Sequence, residues 1–279
     1  MMFIAFIKVK KIMWRGLSLI VGLSPYRILR TGFFKTKDLC AMHIPTDLLN
    51  EHFNDRYFDV VDPIAEAQQI HFSNNRILER ITAAKEAHTR FVIGETGFGV
   101  GRVLLSLMNY LEKSGVQRAD IEYNSVELYP VTAARMAAIL EQFRPQVGNV
   151  VDNVVNAYAT LDIGSGGWHS VVLYGSFGKI HCNLWVGDAL AMVEALAYPC
   201  NVWFLDGHGP KKNPSIWRPE LLMAIGSKTE QGGSCSTFTV AGDVRRALAA
   251  AGFTIERRAG CGGKKEVLLG TIISSSRTV

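Results

Sequence analysis

Phe91 to Gly101 reads FVIGETGFGVG. Four apolar or small residues lead into the carboxylate of Glu95, and Gly97, Gly99 and Gly101 then open an apolar run, Val103 to Leu111, with helical spacing. That order predicts a buried strand turning into a helix. Glycines at such a turn let backbone N–H groups come close to a ligand, and the helix N-terminus adds favourable polarity. A dinucleotide fingerprint requires a third glycine one place further on, where Arg102 stands. S-adenosylmethionine has no pyrophosphate, and its cationic amino-acid end can use a nearby carboxylate, so GxGxG after Glu95 suits that cofactor better. Taken alone, the segment also fits a tight structural connection without a ligand.

Outward from this turn, strands and helices alternate. Strand 91–95 and helix 100–113 are followed by strand 121–127 and helix 131–142. Further on come strand 201–205, helix 215–226, strand 235–239, helix 241–251 and a closing pair near 253–258 and 266–273. Alternation of this kind predicts an α/β fold: a mostly parallel sheet covered by helices on both faces, with ligands at the carboxyl ends of the strands. Between the halves, 144–167 is rich in Asn, Gly and Ser and reads as an insertion. His169 to Tyr174 and Lys179 to Val186 flank Gly175 to Gly178 as a hairpin would. Upstream, 44–88 is a mixed lead-in in which Asn54 to Phe58, NDRYF, precedes a helix at 62–69.

Composition sets the outer limits. A chain of 279 residues with 48% hydrophobic residues can bury one sizeable core. The five cysteines include no CxxC pair and read as reduced, mostly buried residues; the histidines lack an HxxxH spacing, and no metal is expected. The first 37 residues hold Lys8, Lys10, Lys11, Arg15, Arg27, Arg30, Lys35 and Lys37 and no acid, whereas the whole chain carries a net charge of +5. The excess therefore belongs to a basic arm, and the remainder is near minus three. The arm's apolar pieces are too short and too interrupted for a membrane span, which takes about 18 uninterrupted residues, and no secretory cleavage site follows them. Residues 1–42 are read as a poorly ordered basic arm in which membrane contact is not favoured, and 43–279 as one folded domain. Three readings of the arm stay open: an organelle transit segment, a membrane- or RNA-contacting arm, or an upstream extension with Met42 as the start.

Three further stretches share the order of the glycine turn: LWVGDA at 184–189, VWFLDGHGPKKNPSIW at 202–217 and GGSCSTFTVAG at 232–242. Together with GETGFGVG they resemble the methyltransferase module of the bacterial bifunctional enzymes that complete 5-methylaminomethyl-2-thiouridine in tRNA, the MnmC type. The resemblance runs from about Phe53 to about Gly270. It implies a class I methyltransferase sheet, Rossmann-like and mostly parallel with an antiparallel last strand. It also implies S-adenosylmethionine as cofactor, tRNA as partner, and N-methylation of a 5-aminomethyl group on wobble (2-thio)uridine.

Within that frame the residues acquire roles. Glu127 closes a strand, where a carboxylate can accept both ribose hydroxyls. Asp188 can accept from the adenine amino group, and it can equally cap the helix that follows. Asp206 ends the strand 201–205 at the sheet's carboxyl edge. There an acceptor can orient an attacking amine towards the donor methyl group and take its proton, directly or through water; the alternative is a turn-forming Asp before Gly207. His208 and Trp217 are candidates for the pocket wall, and Arg245, Arg246, Lys264 and Lys265, with Arg257 and Arg258, for phosphate contacts.

The chain departs from the family in three places. His208 replaces an aromatic residue, the basic KGFGRKRE-like segment reads AGCGGKKE at 259–266, and the sequence does not continue into a flavin-dependent module. No flavin is therefore expected, and a separate oxidoreductase or another branch would supply the aminomethyl group. A cytoplasmic location follows, or an organelle matrix if the arm is a transit segment. Two other functions remain open at this level: N-methylation of another amine, on a small molecule or a protein, and a noncatalytic nucleotide- or RNA-binding module.

Overall fold

A computed structural model of the chain describes residues 48–58, 62–261 and 264–273. The basic arm lies outside the described residues.

The chain opens with two short paired strands, β1 (Leu49–Asn50) and β2 (Asp55–Arg56), then α1 (Pro63–Ala67), a π-helical turn (Gln68–Ser73) and α2 (Ile77–Glu86). The glycine turn links β3 (Phe91–Thr96) to α3 (Arg102–Ser114), followed by β4 (Ala119–Glu127), α4 (Ala133–Leu140), α5 (Arg144–Val147) and α6 (Val150–Tyr158). Next come β5 (Gly167–Gly175), β6 (Gly178–Val186), α7 (Ala189–Glu194) and β7 (Cys200–Leu205). The chain ends with α8 (Pro219–Ser227), β8 (Thr229–Thr237), α9 (Gly242–Ala250), β9 (Phe253–Ala259) and β10 (Glu266–Ile272).

The main sheet has eight strands in the order β5-β6-β4-β3-β7-β8-β10-β9. Strands β6, β4, β3, β7 and β8 are parallel, and β10 runs antiparallel to both β8 and β9. The antiparallel last strand of the sequence reading is therefore present. A second reversed strand, β5, pairs with β6 across the Gly175 to Gly178 hairpin at the other edge.

The central position of β3 explains its composition. All six of its residues are buried, as a parallel strand covered on both faces requires. A Cβ at Gly94 would stand 2.3 Å from the Trp203 ring, so glycine there lets the β7 tryptophan pack against β3. Helix α3 covers one face with Val103, Leu104, Leu105, Leu107, Met108 and Leu111, all at most 2% exposed. Each such leucine contributes roughly 1.5–3 kcal/mol by leaving water, and together they fix the helix whose first turn faces the site.

Three expectations need correction. The stretch 144–167 is largely helical: Val151, Val154 and Tyr158 are buried on one side of α6, and α4 packs against that helix. The expected helix 215–226 is divided into a 3₁₀ turn, Pro214–Trp217, and α8, because Pro219 cannot donate the hydrogen bond that would continue the first into the second. Strand β8 begins at Thr229, six residues before the expected 235, and takes in the polar TEQGG, which has no strand signal of its own. Among the described residues no helix is long and apolar enough to cross a membrane.

Candidate active site

The carboxyl ends of β6, β4, β3 and β7, adjacent in the sheet, deliver Asp188, Glu127, the glycine turn and Asp206 to one edge. Gly97 has φ +91°, and a Cβ there would lie 2.6 Å from the Asp206 carbonyl oxygen. Only glycine lets the ends of β3 and β7 meet that closely. Glu127 locks the turn from the other side: its Oε2 accepts from the Gly99 N–H at 2.8 Å and its Oε1 from the Tyr129 N–H at 2.9 Å. These backbone donors fix the carboxylate while leaving lone pairs for a ligand's hydroxyls.

Two adjoining cavities open here. The larger, about 260 Å³, is lined by Gly97, Gly99, Glu127, Asp206, His208 and Lys264 among others. The smaller, about 40 Å³, shares Gly97, Glu127, Gly207 and His208 with it and adds Asp188. Asp188 caps α7, its Oδ1 accepting from the Leu190 and Ala191 N–H groups and from Arg218 Nη2 at 2.6 Å. All these contacts fall on one oxygen, so Oδ2 is left for a ligand. The capping and ligand-binding readings are compatible. Strand ends, glycine turn and two carboxylates fit the nucleoside of S-adenosylmethionine, and no step in the chain's organisation conflicts with it.

Asp206 sits in an ion network that the sequence reading missed. Arg102 Nη2 donates to its Oδ2 at 2.6 Å, and His71 Nε2 lies 3.9 Å from Oδ1. Burial opposes ionisation of Asp206, but the Arg102 charge, then the hydrogen bond and charge of His71 and the charge of Lys264, hold its carboxyl well below the usual carboxylate range. It can therefore accept hydrogen bonds from an amine, but it is a weak proton acceptor. Behind it, Arg102 Nη1 donates to the Pro63 carbonyl at 2.7 Å, and the buried Glu66 pairs with Lys264 at 2.5 Å. His71 Nδ1 in turn contacts Ser236 Oγ at 2.9 Å. Removing one member of such a buried pair costs about 3–5 kcal/mol, so the network holds Asp206 in one orientation. Arg102 announced itself in the sequence only as the residue that broke a glycine pattern; nothing marked His71 or Glu66.

Five candidates stand elsewhere than expected. Glu95 does not line either cavity: it is 1% exposed, and its Oε2 accepts from Ser125 Oγ at 2.5 Å. Its Oε1 and the nearby Tyr123 hydroxyl are both buried without a partner in hydrogen-bond geometry. Burial first, and Asp206 as a lesser cause, push the Glu95 carboxyl up to about 8 despite the Ser125 bond. Enclosed in this way, Glu95 presents no carboxylate oxygen to either cavity, where the sequence reading had placed it. Trp217 is a strut instead of a wall: it is 6% exposed, donates from Nε1 to the His208 carbonyl at 2.7 Å, and meets Phe238 edge-on. Arg245 and Arg246 lie on α9 away from both cavities, and Arg246 pairs with Asp243. Lys265 is exposed beside Lys264 without lining the cavity. The wall is aromatic all the same, formed by Phe53, Tyr57, Phe58 and Phe238 from opposite ends of the chain.

A family model described as S-adenosyl-L-methionine-dependent methyltransferase matches residues 168–273. The tRNA 5-methylaminomethyl-2-thiouridine biosynthesis bifunctional protein MnmC of Stutzerimonas stutzeri is 34% identical over 227 residues, covering 81% of this chain and 33% of that protein. The protein of the same name from Pseudomonas fluorescens Pf0-1 is 36% identical over 79% of this chain and 32% of its own length. The chain thus spans about one third of the length of the curated relatives it matches. In three dimensions it resembles the crystal structure of MNMC2 from Aquifex aeolicus, with a TM-score of 0.61 at 17% identity over 80% of this chain and 65% of that one, a likeness of fold. The chain thus has the fold of the class I S-adenosyl-L-methionine-dependent methyltransferases and is similar in sequence to about a third of the MnmC proteins.

Proposed function

We propose that the enzyme N-methylates the 5-aminomethyl group of (2-thio)uridine at the tRNA wobble position. The observation that carries this reading is Asp206: an ionised acceptor at the end of β7, fixed by Arg102 and set in the wall of the larger cavity beside Glu127. When bound, S-adenosyl-L-methionine supplies a methyl group on a good leaving group. In this reading Glu127 holds its ribose hydroxyls, Asp188 Oδ2 its adenine amino group, and Gly97 and Gly99 permit its close approach. Asp206 holds the N–H groups of the substrate amine, so that the nitrogen lone pair is aimed along the transfer path.

A wobble base must be splayed from the anticodon stack to enter such a cavity. Its rim suits a base: the His52 ring stacks on Tyr129 at 3.9 Å with Phe53 beside them, and Leu128 and Tyr129 are 43% and 40% exposed. The names of the homologous proteins point to the same substrate. One observation favours the alternative of a smaller amine: Lys264 and Arg246, two of the cations assigned to the tRNA backbone, are paired with Glu66 and Asp243.

Nucleoside mass spectrometry separates the two. Cells lacking this protein are expected to accumulate aminomethyl wobble nucleosides, and purified enzyme with S-adenosyl-L-methionine should convert them. Carboxymethylaminomethyl tRNA should remain unchanged until an oxidoreductase of a separate chain is added, because its amine is already substituted. Unaltered wobble nucleosides in the deletion strain, with no second enzyme for the step, would leave the other amine as the substrate.

A further inference from the structure

The amine reaches the enzyme mostly as an ammonium ion at neutral pH and must lose a proton before it can attack. Asp206 is poorly suited to take it, being clamped by Arg102 and held in its ionised form. Another group at the same cavities is better placed. His208 lines both of them. Its Nδ1 lies 3.3 Å from Asp55 Oδ2, and its ring is packed between Phe53, at 4.9 Å, and Tyr57, at 6.0 Å. Its backbone is fixed as well, through the Trp217 indole N–H on its carbonyl. No other polar contact to its Nε2 exists among the described residues. A carboxylate on one ring nitrogen holds the proton there and leaves the lone pair on the other.

We propose that His208, held by Asp55, accepts the proton that the substrate amine sheds, while Asp206 orients the nitrogen. The inference rests on the amine-methylation reading above and assigns the proton, whichever amine is the substrate. One N–H bond of the ammonium breaks, its electron pair stays on nitrogen, and the proton moves to His208 Nε2. The freed pair forms the bond to the donor methyl group as the pair of the breaking C–S bond remains on sulfur. The imidazolium then returns its proton to water, and the product leaves as a methylated ammonium ion. A benzene ring at this position could only pack or stack, whereas imidazole can also carry a proton.

Several groups set the charge around His208. Asp55 and Tyr57 face it from β2 and the residues after it, Glu127 and Asp206 from the strand ends, and Lys264 from across the larger cavity. Asp188 and Arg218 lie in the smaller cavity, and Lys212, on the loop of His208, binds the Asn54 carbonyl.

Two measurements test the proposal. Nitrogen NMR of the enzyme alone should show His208 protonated on Nδ1 at high pH, with that preference lost in Asp55→Asn; a proton on Nε2 in the wild type overturns the proposal without any substrate being present. In turnover, His208→Phe keeps the ring packing and removes the base. Its kcat/KM near pH 7 should fall by about 100-fold and should rise about tenfold per pH unit towards the pKa of the amine, where the wild type is flat. Asp206→Asn should be slow yet keep the wild-type pH profile. A His208→Phe profile parallel to that of the wild type, or loss of S-adenosyl-L-methionine binding along with turnover, assigns the ring to packing and refutes the proposal. If the wild type itself fails on aminomethyl tRNA, the substrate reading fails and the NMR result still decides the dyad.

Discussion

Glu95 and Asp206 are two carboxylates near one site with opposite fates, and their surroundings explain why. Asp206 has Arg102 at 2.6 Å, whereas Glu95 has a serine hydroxyl and no cation in hydrogen-bond contact. With its carboxyl pushed up to about 8 from 4.5, Glu95 binds a proton more tightly in the folded chain than in the unfolded one. The sign follows from linkage: between pH 4.5 and about 8 the folded state holds more of this proton, so stability falls as pH rises through that window and levels off above it. Glu95→Gln removes the titration at nearly constant shape. The variant should match the wild type near pH 5 and exceed it by a few kcal/mol at pH 8, read from denaturant midpoints at several pH values. A difference between the two proteins that does not change with pH would sink this account of Glu95. The sequence predicts a buried strand here, but not which face of it Glu95 occupies. Side chains alternate across a strand, but in FVIGET both faces are covered, and the pattern gives no sign of which side Glu95 takes.

At the scale of elements, the loop between β7 and α8 is the piece that turns a sheet edge into a site. It carries Asp206, Gly207 and His208 and is tied down by Trp217 on the His208 carbonyl, by Lys212 on the Asn54 carbonyl, and by Gly207 against Ile216. Because the indole is a strut, Trp217→Phe should lower stability by about 1 kcal/mol through the lost hydrogen bond and lower turnover in the same protein by loosening His208. A tryptophan that merely walled the pocket would change KM and leave the denaturation midpoint where it was, so measuring both decides the matter. Elements were legible where periodicity is strong, as in α3, and at the Gly175 to Gly178 hairpin. Helix α6 was not, since Asn149 before it and Asn153 and Asn156 within VVDNVVNAY give the stretch the composition of a loop, although Val151, Val154 and Tyr158 keep the helical spacing of a buried face. Composition was weighed where periodicity should have prevailed.

For the whole molecule, the alternation of strands and helices was enough to place a ligand at the strand ends, because parallel sheets put their loops there. The contents of the site were less accessible. Glu66 and Lys264 are 198 residues apart in sequence and touch behind Asp206, and Asp55 meets His208 from the lead-in before the first helix. Such pairings are products of topology, and no local spacing encodes them. What the fold does commit the molecule to is its cofactor. The turn Gly97-Phe98-Gly99 is pinned by Glu127 and by the Phe98 N–H on the Val126 carbonyl at 2.8 Å, which leaves a site shaped for a nucleoside with two carboxylates near it. Carboxylates suit ribose hydroxyls and an adenine amino group, and with Arg102 in place of its third glycine the turn lacks the pyrophosphate-binding fingerprint. S-adenosyl-L-methionine or its demethylated product should therefore stabilise the protein and NAD should not. At a concentration about 100 times Kd, a ligand of the folded state adds about 2.7 kcal/mol, which for a domain of this size raises Tm by roughly 5–10 °C. Gly99 has φ +57° and its Cβ position lies 3.2 Å from the Tyr57 ring, so Gly99→Val should abolish the rise by closing the cavity mouth. A comparable rise with NAD would mean that the carboxylates at the strand ends do not govern which nucleotide is bound.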